Sequence, residues 1–74
     1  MVQVTVANNV TRKQVIVSPD TTIDAVIEES GVTMGSARPF LDGVPVYGET
    51  HKTLREFGVG ETAYLTAVAN KDNN

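Results

Sequence analysis

The sequence predicts a small α+β domain, a mixed sheet of four to five strands with one helix lying on one of its faces. Three observations predict it. Val2, Val4 and Val6 alternate with Gln3 and Thr5, which is the period of a strand with one buried face. Ile23, Val26, Ile27 and Ser30 recur at the spacing of a helix with one buried stripe, and Glu28 and Glu29 fall on its wet side. Two turn signals, Asn8-Asn9 and Asp42-Gly43, stand between β-rich runs.

Each element follows in order. The first strand ends at Asn8-Asn9, where Asn tolerates the left-handed conformation of a hairpin turn. The next runs from about Arg12 to Val17, with Val15 and Val17 facing in and Ile16 facing out. Ser18-Pro19-Asp20 breaks it, because Pro19 offers no ladder donor. Thr21 and Thr22 both qualify as N-cap, and Asp24 suits the positive end of the helix dipole. Gly31 stands where a left-handed C-cap belongs. So short a helix needs a sheet to lie on.

Arg38 to Leu41 reads as a short strand, Asp42-Gly43 as a two-residue turn, and Val44, Val46 and Tyr47 as the returning strand. Pro45 marks that strand as an edge. Gly48 to Lys52 is loop. Thr53 and Glu56 have capping-box spacing, which predicts one helical turn closed by Gly58, with Leu54 and Phe57 pointing inward. Gly60-Glu61-Thr62 leads into a last strand from Ala63 to about Ala69. Residues 1–69 therefore form the domain and 70–74 a polar tail. The sheet is mixed if the last strand lies beside the first.

Composition narrows the function. A chain of 74 residues makes one domain. Such a domain buries only about 60% of its unfolded surface, so its apolar side chains are used to close the core. That leaves little volume for a deep substrate pocket and predicts a protein that is not an enzyme and holds no cofactor. There is no cysteine, hence no disulfide, no thiolate nucleophile and no cysteine metal site; this fits a reducing cytoplasm, though secreted proteins can lack cysteine too. The net charge is −3 with no cluster of Lys or Arg, which argues against nucleic acid. The alternating N-terminus does not support a signal peptide, and no apolar run approaches the roughly 20 residues that cross a bilayer.

The chemistry-bearing residues have structural explanations. His51, the only histidine, stands in a loop between Glu49 and Lys52 without a positioned partner or a pocket. Ser18, Ser30 and Ser36 have no adjacent base. Asp20 with Asp24 reads as capping, and Glu28 with Glu29 as a solvated helix face. Neither calcium-loop nor zinc spacing is present, and Gly58-Val59-Gly60 lacks the lysine and helix of a phosphate loop.

Three segments together resemble the ubiquitin-like β-grasp family. Pro19-Asp20-Thr21-Thr22-Ile23-Asp24 is similar to the entry of the ubiquitin helix. Arg38-Pro39-Phe40-Leu41-Asp42-Gly43 resembles the third strand and its turn. Thr53-Leu54-Arg55-Glu56-Phe57-Gly58-Val59 resembles the threonine-leucine helical turn before the last strand. The match covers roughly residues 2–69 by pattern. Ubiquitin and the related sulfur carriers end in a diglycine whose carboxylate is adenylated, and glycine lets that tail thread a narrow channel. This sequence runs Val68-Ala69-Asn70-Lys71-Asp72-Asn73-Asn74 with no Gly after Gly60, so as written it is not expected to do that chemistry.

The resemblance implies that Leu41 points into the core, so that Arg38 and Phe40 point out. If Ala63, Leu65 and Ala67 point in, Tyr64, Thr66 and Val68 point out; the opposite register buries Tyr64, Thr66 and Val68. The first is preferred because it buries Leu65 and puts small alanines under a helix. The outer face then carries Phe40, Tyr64, Thr66 and Val68, with Arg38 at the rim and Ile16 further across. Aromatics with an arginine are the makings of a protein-binding hot spot. The expected function is a non-catalytic interaction module, an adaptor or small subunit, whose partner is another protein. Two alternatives stand beside it: a ubiquitin-like modifier or sulfur carrier whose diglycine is missing or processed, and a structural subunit of a larger assembly.

Overall fold

The computed structural model describes residues 1–32 and 37–68. Strand β1 (Val2–Ala7) pairs antiparallel with β2 (Arg12–Val17). The turn between them is made by a side chain. Asn8 Oδ1 accepts from the amides of Val10 and Thr11 at 2.8 and 2.7 Å, and Asn8 N–H donates to Thr11 O at 2.9 Å. Among the described residues only Asp42 is a non-glycine with positive φ. The left-handed Asn expected here is therefore replaced by an Asx turn, in which the carboxamide does locally what the backbone does in a tighter hairpin.

Helix α1 (Ile23–Ser30) is capped by Thr22, whose Oγ1 accepts from Ala25 N–H at 3.1 Å. That resolves the choice between Thr21 and Thr22. The next amides, of Ile23 and Asp24, are taken by the carbonyls of Lys52 and Thr50 at 3.0 and 2.9 Å. Gly31 closes the helix at φ 74°, sharing its N–H between the Ile27 and Glu28 carbonyls. Ile23 and Val26 are fully buried, and α1 packs on β1 and β2. Buried Ser30 is satisfied, donating to Ile27 O at 2.7 Å and accepting from Val32 N–H at 3.1 Å.

Strand β3 (Arg38–Leu41) turns at Asp42 and Gly43, with φ 51° and 85°, into β4 (Val44–Pro45). Both central residues in the left-handed region suit a primed hairpin turn. Strand β4 is shorter than the Val44–Tyr47 expected. Pro45 has no N–H, and although Val46 N–H still reaches Pro39 O at 3.1 Å, the chain turns away through Tyr47 and Gly48. A 3-10 turn (Arg55–Phe57) follows. The expected capping box precedes it, Thr53 N–H donating to Glu56 Oε2 at 3.1 Å and Glu56 N–H to Thr53 Oγ1 at 3.2 Å. Leu54 is fully buried, while Phe57 is partly buried against the core.

Strand β5 (Thr62–Val68) completes a five-stranded mixed sheet of order β2-β1-β5-β3-β4. It pairs parallel with β1 and antiparallel with β3, so the last strand does lie beside the first. Ala63, Leu65 and Ala67 are buried with Val2, Val4 and Val6. The preferred register of the last strand is the one found. The core thus lies between α1 and one sheet face, each fully buried aliphatic side chain contributing roughly 1.5–3 kcal/mol. Ser36, Ala69 and the tail 70–74 lie outside the described residues.

Candidate functional site

The sheet face away from α1 can be mapped from the strand registers. Directly opposed residues share a face, and residues two apart on one strand share it too. One row across the sheet is Ile16, Gln3 and Thr62. The next is Gln14, Thr5 and Tyr64, and the third is Arg12, Ala7, Thr66, Phe40 and Pro45. Arg38 stands opposite Val68 in the last.

Arg38, Phe40, Tyr64 and Thr66 therefore come to one face, as expected, and so does Ile16 at its far side. Arg38 is exposed, Phe40 and Thr66 are half-buried, and Tyr64 is 41% exposed. Phe40 and Tyr64 are diagonal neighbours through Thr66, a separation of ~7–8 Å that aromatic side chains bridge. The side chain of Val68 lies outside the described residues.

One residue of the cluster escaped the sequence reading. Tyr47, 48% exposed, lies with its ring centroid 6.5 Å from that of Phe40, tilted by 58°. The Arg38 guanidinium stands 4.8 Å from the Tyr47 ring centroid, a cation–π contact. The sequence pattern assigns Tyr47 to the returning strand and gives it no role. The signal for it was Pro45 followed by Gly48, which ends the strand and folds the tyrosine back over β3.

Beside Tyr64 the surface carries an open hollow of about 300 Å³, lined by Gln3, Thr5, Gln14, Asp42, Thr62, Ala63 and Tyr64. Asp42 N–H donates to Tyr64 O at 2.7 Å, and Asp42 Oδ1 accepts from Tyr64 N–H at 2.9 Å.

Asp20, Arg55 and Ser18 serve the architecture. Asp20 Oδ1 accepts from Arg55 Nε at 2.8 Å, and that hydrogen bond, then the carboxylate charge, raises the Arg55 pKa above its ordinary value. Ser18 Oγ accepts from Asp20 N–H at 3.1 Å. His51 is exposed in the turn before Lys52. Among the described residues no group of three or more His, Cys, Asp or Glu side chains is placed to hold a metal ion, and no helix is long and apolar enough to cross a membrane. No family model and no curated protein matches the chain.

Proposed function

We propose that this chain is a ubiquitin-like β-grasp module that works by binding another protein through the outer face of its sheet, without catalysing a reaction. The fold part of the reading is supported by the element order, by the parallel pairing of β1 with β5, and by a helix on one face only. The function part is carried by a single observation. Arg38, Tyr47 and Phe40 form a contiguous cluster, Arg38 over the Tyr47 ring and Tyr47 tilted against Phe40, on the face that α1 leaves open. Tyrosine and arginine dominate the energetics of protein interfaces, and a pair already in contact loses little side-chain freedom when a partner covers it. A protein partner also suits the net charge of −3, which disfavours a phosphate backbone.

Photocrosslinking from two positions in the source cells tests the reading. A photoreactive residue replacing Thr66 on the outer face is expected to give discrete protein adducts. The same residue replacing Glu28 on the wet side of α1 is expected to give none of them. Adducts formed from the helix and absent from position 66 would move the interface to the other side of the molecule.

A further inference from the structure

We propose that the hollow beside Tyr64 takes a basic side chain, lysine or arginine, presented by the protein partner. The inference rests on the reading of the outer face as the partner-binding surface and adds the chemistry that face selects.

The lining decides the charge. Gln3, Thr5, Gln14, Thr62 and Tyr64 are neutral, and Asp42 is the only ionised group among the lining residues. A carboxylate has capacity for several hydrogen bonds, and Asp42 Oδ1 already has one donor in Tyr64 N–H. Its position is fixed by that bond and by the Asp42-Gly43 turn. Tyr64, 41% exposed, lines the hollow beside it, and the chain's own Arg38 lies over the Tyr47 ring instead. A cation entering the hollow therefore meets a carboxylate together with the oxygens of amides and hydroxyls, beside an exposed tyrosine. An anion meets the Asp42 charge, which opposes it.

The neighbourhood sets a spacing. Phe40 is the diagonal neighbour of Tyr64. That ~7 Å separation matches residues two apart on an extended chain, which rises roughly 3.3 Å per residue. The partner segment should thus carry an apolar residue for the Phe40–Tyr47 cluster and a basic residue two positions away for the hollow.

Asp42→Asn isolates the charge. Asn is at home at a φ of 51°, and its side-chain oxygen can still accept from Tyr64 N–H. The test titrates isotope-labelled full chain with the peptide acetyl-Gly-Leu-Ser-Lys-Gly-amide, followed by amide NMR. Parallel titrations use the same peptide with norleucine or glutamate in place of lysine. The lysine peptide should shift the amides of Thr5, Gln14 and Tyr64 saturably and bind about tenfold tighter than either control. Asp42→Asn should remove that preference and its salt dependence, while Phe40→Ala should weaken the lysine and norleucine peptides alike. Equal binding of the lysine and norleucine peptides, still sensitive to Phe40→Ala, would overturn the basic-residue inference and leave the outer-face reading standing. No saturable shift with any peptide would also overturn it, and the outer-face reading would then be decided by the crosslinking alone.

Discussion

Asp42 and Tyr64 hold each other twice, backbone N–H to carbonyl at 2.7 Å and backbone N–H to carboxylate at 2.9 Å. The pair ties the tip of the β3–β4 hairpin to the backbone of β5 at Tyr64. Because Asp42 also sits at positive φ, its side chain and its backbone conformation serve the same contact.

That double role gives a stability prediction. Asp42→Ala loses the carboxylate acceptor and strains the left-handed position, costing about 2 kcal/mol. Asp42→Asn should cost less than about 0.5 kcal/mol, because it keeps both features. Urea unfolding of the two variants measures the difference, and equal losses would mean that the charge itself stabilises the turn.

The helix ends make a second prediction. Thr22→Ala removes the bond to Ala25 N–H and should cost about 1 kcal/mol. At Gly31 an added Cβ meets no atom within 4 Å, so Gly31→Ala should cost only its conformational strain at φ 74°, also about 1 kcal/mol. Unchanged thermal midpoints for both variants would contradict the capping geometry.

The core makes a third. Val26 is fully buried between α1 and the sheet, and Val26→Ala should cost about 2 kcal/mol or more through the lost methyls and the space they leave. Leu54→Ala, at the fully buried residue of the 3-10 turn, should cost at least as much. A surface-like effect at either position, read in the same unfolding assay, would place the core elsewhere.

What the sequence showed and what it hid divide along physical lines. Period-two valines, helical spacing and the turn residues at Gly31, Asp42-Gly43 and Gly58 are local signals, and each matches the element found. The faces of β3 and β5 were legible because Leu65 must be buried and its neighbours must then alternate. The Asn8 turn differs from the expected left-handed one because a side-chain cap and a left-handed turn use the same residue type. Tyr47 was missed because its role depends on contacts with Phe40 and Arg38 made after the chain leaves the sheet, and no local period encodes that. The hollow was invisible for the same reason: Gln3, Gln14, Asp42 and Tyr64 come from four stretches of chain and meet only through the registers of three strands and a turn.

Phe40 bears most directly on the central claim, because its ring lies on the outer face and outside the buried cluster. The decisive measurement pairs the affinity of Phe40→Ala for the partner captured at position 66 with the variant's thermal midpoint. The account predicts at least about a tenfold loss of affinity, in line with an aromatic anchor worth more than 1 kcal/mol, with the midpoint changed by only a few degrees. Full affinity in a folded Phe40→Ala chain would contradict it.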